Sequence, residues 1–163
     1  MKLVRLILIV IMLGLASQSI AAVAEAPNVV LPSLNGEFNL ESLRGKVVYL
    51  DFWASWCKPC IKSFPWMHYL KTTYQDQGFE IVAINLDKEK RSAEDFLKRV
   101  DVNFIVAFDP AGKSAEAYQL RGMPSTYLIG RDGRLYVSHI GFREKDKPKM
   151  ERAVKILLEG SEQ

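Results

Sequence analysis

Val47-Val48-Tyr49-Leu50-Asp51-Phe52-Trp53-Ala54-Ser55-Trp56-Cys57-Lys58-Pro59-Cys60 is the stretch from which the fold is read. Its first seven residues are apolar except Asp51 and rich in β-branched and aromatic types, as a central strand buried on both faces requires. Beyond the cysteines, Ile61, Phe64, Met67, Tyr69, Leu70 and Tyr74 keep helical spacing to about Gln77, and Gly78 supplies a stop. One strand-to-helix junction therefore carries both cysteines of the chain, Cys57 at the helix N-terminus and Cys60 one turn behind. Pro65 falls inside the helix and removes one backbone bond, so a single bent helix is expected.

Working outward, Phe79–Asn85 reads as a second buried strand, 93–100 as a helix, 104–108 as a strand ended by Asp109-Pro110, and 113–118 as a short helix. This alternation indicates an α/β sheet with right-handed crossovers. Ser125–Ile129 and Leu135–Ile140 read as two strands joined by Gly130-Arg131-Asp132-Gly133, a link suited to a hairpin, and an amphipathic helix over 147–158 closes the chain. On the N-terminal side, residues 25–36 read as a linker or extension, and residues 38–45 as a short strand and turn. The domain is thus expected over 37–160.

A length of 163 residues, 48% hydrophobic and 25% charged, suits one globular domain. Residues 1–24 have a different character. Lys2 and Arg5 precede an apolar run from Leu6 to Ala16, followed by the small residues Ala21, Ala22 and Ala24, the pattern of a secretory signal cleaved after Ala22 or Ala24. An uncleaved inner-membrane anchor is the alternative, although Ser17-Gln18-Ser19 interrupts the run short of the about 20 apolar residues a span needs.

Taking Lys2 and Arg5 from the 22 basic residues leaves 20 against 19 acidic ones, a net charge of +1. The basic balance belongs partly to the targeting segment and gives no ground for a nucleic-acid partner. Export, to the periplasm or an equivalent space, places the cysteine pair in an oxidising compartment. A bridge closing so short a loop removes little unfolded-state entropy, so redox chemistry explains the pair better than stapling does.

That chemistry needs a thiolate, and a free cysteine with pKa near 8.5 is mostly protonated at neutral pH. Unpaired amides and the dipole at a helix start stabilise negative charge on Cys57, and Lys58 adds positive potential, so Cys57 is the expected nucleophile. Cys60 then attacks the mixed disulfide and releases the substrate. Pro59 fixes one backbone angle in the first turn, where its missing donor costs least. Trp56 is expected as partly exposed docking surface and Trp53 as mainly packing.

With this junction, and with Arg121-Gly122-Met123-Pro124-Ser125 before a later strand, the sequence resembles the thioredoxin superfamily from about Glu37 to Leu158. The export signal and the extra helix and strand between Asp87 and Pro124 are similar to the TlpA/ResA/DsbE-like exported thiol-disulfide proteins. The resemblance implies a thioredoxin fold, a mixed central sheet flanked by helices with a helix-strand insertion before a cis-proline loop. It also implies that Pro124 is cis, that the backbone of Met123 receives an extended substrate strand, and that Asp51 is a buried acid assisting proton transfer at Cys60. Where thioredoxin places a lysine near this acid, the sequence has Ala83.

The expected activity is thiol-disulfide exchange on exported proteins, as a reductant, with apocytochrome c maturation as one task. The Cys57–Cys60 pair would be the whole redox equipment, without further cofactor or metal, in a monomer. With no other cysteine in the chain, electrons must come from a membrane thiol-disulfide donor. A zinc or copper site competes weakly, since only His68 and His139 supply imidazole. A thiol peroxidase is a second alternative, although Trp53-Ala54-Ser55-Trp56 stands before Cys57 where peroxidases carry a Pro-X-X-X-Thr-X-X pattern. A redox-inactive binding module is the third.

Overall fold

The computed structural model describes residues 23–160; the signal or anchor expected at 1–24 lies, apart from Val23 and Ala24, outside the described residues. Among the described residues no helix is long and apolar enough to cross a membrane. Seven strands, β1 (Val30–Ser33), β2 (Gly36–Asn39), β3 (Val47–Trp53), β4 (Phe79–Asn85), β5 (Ile105–Phe108), β6 (Ser125–Ile129) and β7 (Leu135–Ile140), form one sheet in the order β2-β1-β5-β4-β3-β6-β7. β3–β4 and β4–β5 pair in parallel and the remaining neighbours antiparallel, so the sheet is mixed.

β3 is buried along its whole length because layers cover both of its faces. On one face Tyr49 and Trp53 join a core with α1 (Lys58–Tyr74), α2 (Lys90–Leu97) and α4 (Lys147–Glu159), through Phe64, Met67, Leu70, Phe96, Val154 and Leu158. On the other, Leu50 and Phe52 pack with Tyr118, Tyr127 and the N-terminal residues Val29, Phe38, Leu40 and Leu43. The period-two alternation of a strand thereby sorts its residues between two cores.

α1 runs uninterrupted through Pro65, and a 3₁₀ turn, Gln75–Gln77, leads to Gly78 at φ 77°, a conformation that favours glycine. Two local expectations are corrected. The segment read as a linker contains β1, which pairs with β2 in a hairpin and touches β5 at Ser33–Ala107. The second helix starts at Lys90 and not Ala93, its first turn being polar and its buried residues Ala93 and Phe96 lying further on.

Between β5 and β6, α3 (Lys113–Ala117) is held at its start by Asp109, which is 3% exposed. Its carboxylate accepts from the amides of Gly112 (2.9 Å), Lys113 (3.2 Å) and Ser114 (2.7 Å) and from Ser114 Oγ (2.5 Å). Charge-assisted capping of this kind is lost on truncation, leaving several donors short of a partner. Asp109→Ala is therefore expected to lower stability by about 2 kcal/mol in urea unfolding, and an unchanged midpoint would show the cap to be dispensable.

Candidate active site

β3 ends at Trp53, the loop 54–57 turns through a Cys57 N–H to Ala54 carbonyl bond of 3.0 Å, and α1 begins at Lys58. Cys57 is the N-cap: its Sγ accepts from the Cys60 amide at 3.4 Å, so a donor of the first helical turn points at this sulfur, an arrangement that favours negative charge there. Cys57 and Cys60 form a disulfide with Cα atoms 5.3 Å apart. Cys57 is 6% exposed and Cys60 is fully buried, so Cys57 is the more accessible of the two. Lys58 and Pro59 lie on the exposed first turn.

The loop is fixed from below by Asp87, whose carboxylate accepts from Ser55 N (2.9 Å), Ser55 Oγ (3.0 Å) and Asn85 Nδ2 (2.7 Å). Trp56, next to Cys57, is 69% exposed, whereas Trp53 is fully buried against Phe64 and Phe96 at ring distances of 4.8 and 5.2 Å. The two tryptophans therefore divide as expected between surface and core.

Met123-Pro124 is a cis peptide bond. The loop enters β6, where Ser125 pairs with Phe52 near the cysteine end of β3, and the Pro124 carbonyl accepts from Gly141 N–H at 2.7 Å. Met123 is half-buried against the core that contains both cysteines. The pair and the proline loop thus meet at one end of the sheet.

Asp51 shares its strand face with Tyr49 and Trp53, the face of the disulfide layer. It is fully buried, with Ala83 beside it on β4 and Thr126 on β6. Thr126 Oγ1 donates to Asp51 Oδ1 at 2.7 Å; Oδ2 has no hydrogen-bond partner among the described residues. Burial pushes the carboxyl up to about 7, against a downward effect of the Thr126 bond. A group balanced near neutrality can take and return a proton.

The redoxin family model matches residues 21–154. The chain belongs to the redoxin family. This redoxin is 38% identical over 124 residues to the thiol-disulfide oxidoreductase ResA of Bacillus cereus, covering 76% of this chain and 72% of that protein. It is 40% identical over 119 residues to ResA of Bacillus subtilis, covering 72% and 66%. A solved structure from Chlorobium tepidum, described as a thiol:disulfide interchange protein DsbE, superposes with TM-score 0.82 at 44% identity, covering 83% of the redoxin and 96% of that chain. The redoxin has a thioredoxin-like fold and is a thiol-disulfide oxidoreductase that acts on protein thiols.

Three polar residues of the site escaped sequence reading. Thr126 and Tyr49 look like ordinary strand residues, and only the β3–β6 register brings Thr126 to Asp51. Asp87 looks like a loop acid. Its signal was the short Asn85-Leu86-Asp87 span after a buried strand, where a side chain can turn back on the backbone.

Proposed function

We propose that this redoxin is an exported reductant of protein disulfides, monomeric, using Cys57–Cys60 as its only redox group. The observation that carries the reading is Asp51. A buried carboxylate in the layer beneath the pair opposes thiolate charge, so the dithiol is not specially stabilised; strong oxidants of this chemistry owe their power to a stabilised reduced form. Lys58 acts the other way, but it stands on the solvent side where its field is screened.

In this cycle Cys57 thiolate attacks a substrate disulfide, forming a mixed disulfide and expelling one substrate thiolate. Asp51 carboxylate takes the Cys60 proton, directly or through a water. Cys60 thiolate then attacks Cys57 Sγ, closing the Cys57–Cys60 bond and expelling the second substrate thiolate, so two electrons pass to the substrate. Trp56 supplies apolar docking area, and the Met123 backbone at the cis-proline loop aligns an extended segment of the partner. A membrane thiol-disulfide donor returns the electrons, and the segment 1–24 delivers the protein to the periplasmic side. Apocytochrome c, whose paired cysteines must be reduced before haem attachment, is the proposed substrate.

Rapid acid quenching and alkylation of the protein in cells is the test. The dithiol form should predominate, and deletion should lower holocytochrome c with recovery on addition of external thiol. A steady-state disulfide would overturn the reductant assignment, and normal cytochrome levels would overturn apocytochrome c as its substrate.

A further inference from the structure

Asp51 is fully buried, and the role given above requires it to take up one proton per turnover and lose it again. A docked partner covers the cysteine side while this happens. The proton needs another way out. We propose that Asp51 exchanges its proton with solvent through Thr126 Oγ1 and the Tyr49 hydroxyl into a crevice beside β7, whose outer wall is His139 and Asp146. This rests on the reading of Asp51 as the base for Cys60.

The path is continuous in the geometry. Thr126 Oγ1 lies 2.7 Å from Asp51 Oδ1 and 3.2 Å from the Tyr49 hydroxyl. Tyr49 and Thr126 also line a crevice with room for about one water, together with Trp66, His139, Arg143 and Asp146. His139 pairs with Thr126 across β6–β7, on the same face of the sheet. Its Nε2 makes no hydrogen bond but sits 3.4 Å from Asp146 Oδ2, within ion-pair reach once the ring carries a proton. The side chains of His139 and Asp146 are 23% and 19% exposed, so the crevice opens outward.

Two hydroxyls in series can invert their polarity. With Asp51 ionised, Tyr49 O–H donates to Thr126 and Thr126 O–H donates to Asp51. With Asp51 protonated, its proton passes to Thr126 Oγ1 as the Thr126 proton passes to Tyr49, and the Tyr49 proton leaves to a water or to His139 Nε2. One proton enters the chain, one leaves, and no hydroxyl is left charged. Burial, and secondarily the Asp51 charge, raises the Tyr49 phenol above its ordinary value, so Tyr49 relays without ionising. The Arg143 bond of 2.6 Å holds Asp146 below the usual carboxylate range, so it draws the proton outward as a standing anion. The other charge facing this crevice is Lys147, paired with Glu144 at 2.7 Å; from β4 only Ala83 stands beside Asp51.

Thr126, Tyr49 and His139 are thus positioning residues that act through Asp51. The test follows multiple-turnover reduction of insulin disulfides by the full chain, recycled by excess dithiothreitol between pH 5 and 9, so that Asp51 must be discharged in every cycle. Thr126→Val should be about tenfold slower at pH 7, a fraction of what loss of a general base costs, and the deficit should persist at pH 9, where Asp51 is ionised. Thr126→Ser, which keeps the hydroxyl, should stay within about twofold of wild type, and His139→Gln should be about threefold slower. A wild-type rate in Thr126→Val with a slow Asp51→Asn overturns the path and leaves the base assignment standing. A deficit that disappears at pH 9, or an equal one in Thr126→Ser, also overturns it, since Thr126 would then only tune Asp51 or hold the fold. A wild-type rate in Asp51→Asn removes the base assignment itself. If Thr126→Val does not fold, Tyr49→Phe, which removes the second hydroxyl and keeps the ring, decides, and its reacting at the wild-type rate overturns the path.

Discussion

Cys57→Ser should reduce protein disulfides no faster than the uncatalysed reaction, a loss of about a thousandfold or more, while Cys60→Ser should react once and stop. The asymmetry follows from exposure and position. Cys57 Sγ occupies the N-cap, where the Cys60 amide points at it, and it is the sulfur of the pair at the surface. A serine hydroxyl there has far too high a pKa for helix-terminal donors to ionise at neutral pH. In the proposed cycle fully buried Cys60 serves only to resolve the mixed disulfide. Without it, the Cys57 adduct accumulates and appears as a covalent partner on non-reducing gels and in mass spectra. Turnover in Cys57→Ser, or adducts formed through Cys60 in preference to Cys57, would refute this assignment. In cells the same Cys60→Ser trap captures both the substrate and the electron donor, because each forms its mixed disulfide at Cys57.

What could be read from the chain depended on how local each cause was. β3, α1 and the cysteine pair follow from contiguous patterns: a seven-residue apolar run, helical spacing, and a glycine that ends it. The cis Pro124 was legible only through resemblance, since an isolated X-Pro bond is ordinarily trans. The β1–β2 hairpin was missed because β1 is half-exposed and contains Pro32, features that weaken any strand signal. The polar start of α2 concealed three residues because hydrophobic periodicity begins only at Ala93. Asp51 stood out as an acid in an apolar run, yet its partner lies 75 residues away and depends on register. His139 was weighed only as a metal ligand, and its place beside Thr126 is likewise a product of pairing across the sheet. Function in this fold concentrates where non-local register overrides local pattern.

Asp51→Asn should change the pH dependence of stability more than any other single substitution at the site. The folded carboxyl lies at about 7 against an ordinary value of 3.8, raised by burial. Between these values the native state binds more protons than the unfolded state, so stability falls as pH rises. The cost is absent below about pH 4, grows through pH 4 to 7, and is complete near pH 8. A displacement of about three units corresponds to about 4 kcal/mol as an upper bound, which relaxation around the charge reduces to about 2–4. Asparagine keeps the Thr126 bond through its amide oxygen, and its NH₂ replaces Oδ2, the oxygen without a partner, at a cost of about 1–3 kcal/mol that does not vary with pH. The variant-minus-wild-type difference in stability should therefore rise by about 2–4 kcal/mol from pH 4 to pH 8 in urea unfolding of the oxidised proteins, where neither cysteine titrates. Parallel pH curves would place Asp51 at an ordinary carboxylate pKa and remove the ground for its role as a base poised near neutrality. A stabilised Asp51→Asn that also releases its substrate slowly would give the two halves of one trade-off: the carboxylate that weakens the fold above pH 7 is the group that lets Cys60 finish the reaction.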